Sequence, residues 1–176
     1  MNHDAYDDAY IRSILDGVKS IAIVGASNNN VRPSYFVQKY LISKGYEIWP
    51  INPGLAGQEI LGRPVHGSLR ELPGKVDMVD IFRGAEHAGP IVEDAIALGA
   101  KVVWMQLGVR NDEAAARAEA AGLKVVMNRC PKIEYGRLCG EISWIGVNSR
   151  TLSSKRPQRS QGFQHLGLRS PVKPTV

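Results

Sequence analysis

The stretch Ser20–Gly25, Ser-Ile-Ala-Ile-Val-Gly, runs straight into Ala26 and Ser27, and Arg32, Pro33 and Ser34 follow a run of three asparagines. The chemistry these residues offer is anion binding. Gly25 can take a backbone turn closed to other residues, and small Ala26 and Ser27 let a phosphate come close to the main-chain amides. A helix starting near Ser34 would add the positive end of its dipole. The competing reading is that Gly25 only makes a tight strand-to-helix turn. The dinucleotide fingerprint G-x-G-x-x-G is absent, because Gly25 is followed by Ala26, Ser27, Asn28, Asn29 and Asn30.

Other apolar runs end on comparable residues. They lead into Asn52-Pro53-Gly54, Phe82-Arg83-Gly84, Gln106-Leu107-Gly108 and Asn128-Arg129-Cys130-Pro131. In open parallel α/β sheets ligands bind at the carboxyl ends of strands, so these segments are gathered as one candidate site. The collection is polar and cationic and contains no carboxylate. A nicotinamide dinucleotide calls for an acid at the end of the second strand to hold a ribose hydroxyl. That end reads Trp-Pro-Ile-Asn-Pro-Gly, with Glu47 too early in the strand. The site suits an adenosine whose ribose already carries a phosphate, which a carboxylate there would repel. For Arg83 the competing reading is an ion pair with Glu86, three residues on.

Candidates for catalysis are few. His3 and His165 lie near the termini, His66 has no acid close in sequence, and His87 opens a helix. Ser27 has no recognisable triad partner. Cys130 could be a nucleophile at a strand end, but without a visible base it reads as a packed thiol. Cys130 and Cys139 are the two cysteines, and no Cys/His spacing typical of zinc is present. No catalytic residue and no metal site is therefore assigned.

The elements that would position these residues alternate. Residues 5–16 read as an amphipathic helix with Ile11, Ile14 and Leu15 on one side, ended by Gly17. Strands are expected at 20–25, 46–52, 76–82, 101–108 and 123–128. Between them come a helix over 34–45 with Tyr35, Phe36, Tyr40 and Leu41 inward, and a helical turn near Ser68. Two further helices follow: one starting near Gly89 with Pro90 at its first position, and one over 111–122 capped by Asn111 or Asp112. Near-continuous apolar strands separated by helices predict a doubly wound, mostly parallel five-stranded sheet, Rossmann-like, in a single α/β domain over residues 1–150.

The net charge of +5 belongs to the end of the chain. Of 22 Lys and Arg, six follow residue 141, where no acid occurs; the preceding part carries 16 against 17 Asp and Glu. Residues 151–176, rich in Ser, Arg, Gln and Pro without periodicity, are expected to be a disordered basic tail. A nucleic-acid role would rest on that charge alone, so no nucleic-acid partner is expected. With no basic-then-apolar start and no apolar run of membrane-spanning length, no membrane partner and a cytoplasmic location are expected.

Taken together and in order, the segments "VGAS", "RPSY", "INPG", "GQEILGRPVHGSL", "VDMVDIFR", "WMQLGV" and "VVMNRCPKIE" resemble the small CoA-binding proteins. These are similar to the CoA-binding domain of the succinyl-CoA synthetase alpha subunit and of NDP-forming acyl-CoA synthetases. The resemblance implies coenzyme A or acyl-CoA as ligand. It implies that Ala26 to Asn29 hold the CoA phosphates, that Asn52, Pro53 and Gly54 flank the adenosine end, and that Phe82, Arg83 and Gln106 to Gly108 complete the cleft. The sequence departs from the synthetase pattern in two places. Leu55 stands where the alpha subunit usually has lysine, and Gln106-Leu107-Gly108 stands for its Thr-Glu-Gly. No phosphohistidine or nucleotide-grasping half is recognisable. The expectation is a CoA-binding module, non-catalytic or regulatory, with a dinucleotide-dependent oxidoreductase as the alternative.

Overall fold

A computed structural model of the chain describes residues 1–138. In chain order the elements are helix α1 (Asp8–Gly17), strand β1 (Ser20–Val24), helix α2 (Pro33–Ser43), strand β2 (Glu47–Ile51), a small hairpin of β3 (Glu59–Ile60) and β4 (Arg63–Pro64), strand β5 (Met78–Ile81), helix α3 (Ala85–Leu98), strand β6 (Val102–Met105), helix α4 (Asp112–Ala120), strand β7 (Lys124–Val126) and helix α5 (Pro131–Leu138). The main sheet is five-stranded and parallel throughout, in the order β2-β1-β5-β6-β7. It is the expected doubly wound α/β domain. The expected strands at 20–25, 46–52, 76–82, 101–108 and 123–128 are these five, each shorter than its apolar run.

Alternation along the strands sorts side chains onto two faces. Ile21, Ile23, Met78 and Trp104 bury against α1, α2 and α5. Ala22, Val79, Ile81, Val103 and Met105 bury against α3 and α4. Both faces are covered, which is why the strands carry so few polar residues.

The strand order reverses between β1 and β5, the switch point at which such sheets open a crevice. Register makes the crevice level: Val24 lies opposite Ile51 on one side and Ile81 on the other, and Ile81 lies opposite Met105. The residues leaving the sheet at that level are Gly25, Asn52, Phe82 and Gln106.

Three local expectations are corrected. Helix α3 begins at Ala85, not near Gly89, and Pro90 lies inside it. The helix tolerates the missing amide because Ala88, Val92 and Ala95 are buried on its inner face. On α2 the buried residues are Ser34, Val37, Gln38 and Leu41; of the expected inward stripe only Leu41 is buried, and Phe36 is 48% exposed. Ser68 precedes the turn at Leu69–Glu71 without capping it; its hydroxyl bonds the Glu71 carboxylate at 3.1 Å. Helix α5 and the β3–β4 hairpin were not expected. The expected basic tail at 151–176 lies outside the described residues. Among the described residues no helix is long and apolar enough to cross a membrane.

Candidate functional site

The strand-end loops border two hollows. The larger, of about 860 Å³, opens on the α2 and α5 side; its wall includes Gly25, Ala26, Ser27, Arg32, Ser34, Asn52, Phe82, Arg83, Gln106 and Leu107. The smaller, of about 160 Å³, lies on the α3 side between Pro53, Leu69, Ile91 and Asp94. Gly25, Asn52 and Arg83 border both. Ten of the fifteen residues predicted for the site thus meet in one cleft of ligand size, and Pro53 joins the smaller hollow. Asn28, Asn29, Gly54 and Gly108 line neither; they shape the loops.

Gly25 is required by the backbone. Its φ is +92°, and a Cβ there would meet Arg83 Cδ at 3.1 Å, Phe82 Cβ at 3.2 Å and the Phe82 carbonyl carbon at 3.3 Å. The amides of Gly25 and Ala26 both donate to the Ile51 carbonyl, at 2.9 and 3.2 Å. They bind the neighbouring strand end and are not free for a phosphate, contrary to the simplest reading of a Gly-Ala-Ser loop. Ser27 Oγ accepts from the Asn29 amide at 3.1 Å, and Asn29 Oδ1 accepts from the Val31 amide at 3.0 Å. The Ser27 and Asn28 amides have no partner among the described residues. Asn52 is a clamp: its Nδ2 donates to the Ala26 carbonyl at 2.7 Å and its Oδ1 accepts from Gly54 at 2.9 Å.

Helix α2 starts at this cleft. Arg32 is its N-cap residue but makes no side-chain cap, and Pro33 supplies the first turn. Ser34 is 4% exposed, lines the cleft, and its hydroxyl has no hydrogen-bond partner among the described residues. Pro33 has no amide hydrogen and the Tyr35 and Phe36 amides turn back to the Arg32 carbonyl at 3.0 and 3.4 Å, so the helix start offers an anion the Ser34 amide and hydroxyl.

The electrostatics agree. Arg32, Arg83 and Lys132 line the cleft, no Asp or Glu does, and none of the three makes an ion pair among the described residues. The Arg83–Glu86 pair does not form; Glu86 lies 3.5 Å from His87. In the smaller hollow Asp94 is paired with Arg70 at 2.6 Å.

Beneath the larger cleft is a group that sequence reading missed. Asp80, on β5, is fully buried, and Gln106 Nε2 donates to both of its oxygens at 3.0 Å. Burial pushes its carboxyl up to about 8, against the opposing effect of the Gln106 hydrogen bonds. At neutral pH it is mainly the uncharged acid and does not cancel the cleft's cations. Its position inside an apolar strand hid it; a charged residue amid "VDMVDIF" was the available signal. Lys132 was outside the predicted site, and Cys130 was gathered with the strand-end loops without being assigned a binding role. Cys130 is 6% exposed and packs on the α2-side core, as a packed thiol should, yet it forms part of the cleft wall. Burial raises its thiol, and the nearby Asp80 adds to this while the Ile133 and Lys132 amides oppose it. His66 and His87 line neither hollow. No cluster of His, Cys, Asp or Glu suited to a metal ion occurs among the described residues.

A parallel five-stranded sheet wound on both faces, with a crevice at its switch point, defines a Rossmann-like α/β domain. The chain belongs to the CoA binding domain family, whose model matches residues 19–136. It is 37% identical to the uncharacterized protein YneT of Bacillus subtilis over 127 residues, 72% of this chain and 93% of that one. A solved structure of a hypothetical protein from Pyrococcus horikoshii superposes with a TM-score of 0.74 and 42% identity, covering 80% of this chain and 97% of that one. A segment of 89 residues is 38% identical to the alpha subunit of an ADP-forming acetate–CoA ligase of Pyrococcus furiosus; it covers 48% of this chain but 19% of that subunit.

Proposed function

We propose that the protein binds coenzyme A or an acyl-CoA across the two hollows and acts as a binding or regulatory module. The observation that carries this reading is the charge of the cleft: three arginine and lysine side chains without acid partners, beside the open start of α2, in a wall free of carboxylates. The diphosphate takes the free amide of Ser27 and the Ser34 hydroxyl. The adenosine end takes the smaller hollow beside Pro53, where Arg83 stands within reach of both. The arm ending in the thiol runs along the larger cleft past Gln106. Exposed Val31, Phe36 and Leu107 at its border give an apolar surface to that arm or an acyl group.

The make-up of the cleft supports a binding role over a catalytic one. No nucleophile in it is hydrogen-bonded to a base among the described residues, and His66 and His87 lie outside it. The oxidoreductase alternative has no support at β2, whose end carries Ile51 and Asn52 where a dinucleotide fold places its acid.

Thermal unfolding with added ligand tests the proposal. CoA in large excess over its Kd should raise Tm by several degrees, since a hundredfold excess contributes about 2.7 kcal/mol. A Tm unmoved by CoA but raised by NAD would overturn it.

A further inference from the structure

The ligand proposed above ends in a thiol, and the cleft wall contains one. We infer that Cys130 is a covalent acceptor site: with coenzyme A disulfide it forms a mixed disulfide that tethers one CoA in the cleft. This inference rests on the CoA reading and adds a chemical consequence to it.

Three observations meet at this point. Cys130 is a free cysteine whose position at the start of α5 places it in the wall of the same cleft as Ser27, Arg32 and Ser34. The one cleft therefore carries both cationic and hydroxyl groups suited to phosphates and a thiol. Independently of the cysteine, Ser34 is 4% exposed and lines the cleft, and its hydroxyl has no partner among the described residues, so it is left to meet a ligand. Gln106, 6% exposed, has its amide nitrogen held by Asp80, which leaves its oxygen to accept a hydrogen bond from a ligand N–H.

The step balances without any further oxidant. The Cys130 sulfur, as thiolate, attacks one sulfur of CoA disulfide. The ligand's S–S bond breaks, a protein–CoA S–S bond forms, and the departing CoA thiolate takes up the proton that Cys130 released. One disulfide is consumed and one is made. Because burial and the neighbouring Asp80 hold the Cys130 thiol protonated, with the Lys132 charge and the Lys132 and Ile133 amides opposing them, disulfides colliding from solvent react slowly. A disulfide docked through its phosphates has a much higher local concentration at the sulfur. The burial that makes the thiol unreactive in general makes it selective for a ligand of the cleft.

The test incubates the full chain with CoA disulfide and reads the intact mass without reductant, followed by peptide mapping. The expected result is an adduct of one CoA, removed by dithiothreitol and mapped to Cys130. It should also form on Cys139→Ser, fail to form on Cys130→Ser, and form at least about tenfold faster than the glutathione adduct at equal disulfide concentration. Calorimetry with reduced CoA on the same samples separates the two claims. If reduced CoA binds and no adduct maps to Cys130, the covalent inference fails and the CoA reading stands. If glutathione disulfide reacts as fast as CoA disulfide, delivery by the cleft is refuted. If reduced CoA does not bind, both fall together.

Discussion

Asp80 offers a sharp test of the electrostatics because its burial has a calculable cost. The carboxyl moves from 3.8 to about 8 on folding, with burial as the first cause. An acid with a raised folded-state pKa keeps its proton in the native state and loses it on unfolding. Between about pH 4 and pH 8 the unfolded chain binds fewer protons, so this group's contribution to stability falls as pH rises. It costs nothing below about pH 4 and costs its full amount above about pH 8. Each unit is about 1.4 kcal/mol, so the cost at pH 7 is roughly 4 kcal/mol. Asp80→Asn keeps an acceptor for the Gln106 amide and removes the ionisation. Urea unfolding of parent and variant at a series of pH values from 4 to 8.5 should give curves that diverge upward, the variant gaining by several kcal/mol at the alkaline end. The same ionisation places a negative charge under the cleft, so CoA affinity of the parent should weaken through about pH 8 while that of Asp80→Asn does not. Parallel stability curves for the two proteins would refute a buried neutral Asp80.

Gly25→Ala should destabilise the fold by about 1–3 kcal/mol, from the left-handed φ and the contacts with Phe82, read from the shift in urea midpoint. Cys130→Ser should bind reduced CoA within about twofold of the parent by calorimetry, because the sulfur is not needed for the reversible complex; a loss beyond tenfold would give the sulfur a direct role in that complex. Asn52→Ala removes the clamp between the β1 and β2 loops and leaves the Ala26 carbonyl without its donor. It should cost about 1–3 kcal/mol in stability and weaken CoA binding as well; unchanged stability with lost binding would make Asn52 a ligand contact instead.

The sheet was legible because strands buried on both faces must be apolar throughout, as in Ile21–Val24 and Val102–Met105. Its strand-end loops were legible for the same reason: once a sheet is parallel, its ligand edge is known. What sequence could not supply is the consequence of strand order. Lys132 follows β7 at one edge, and only the fold of α5 back across the α2-side face carries it into the cleft. Phe36 was assigned to the core because aromatic residues usually are; here it borders the cleft instead. The Gly25 and Ala26 amides looked free in a linear reading, because their acceptor, the Ile51 carbonyl, is supplied by a neighbouring strand.

The central claim is that this cleft recognises coenzyme A through its phosphates. Calorimetric titration of the parent, Arg32→Ala and Arg83→Ala with CoA, dephospho-CoA and NAD tests it most directly. A cation meeting the 3′-phosphate contributes roughly 1.5–3 kcal/mol, about ten- to a hundredfold in affinity. The account predicts the order CoA, then dephospho-CoA, then NAD for the parent, and one arginine variant that loses affinity for CoA but hardly for dephospho-CoA. NAD binding more tightly than CoA would contradict it.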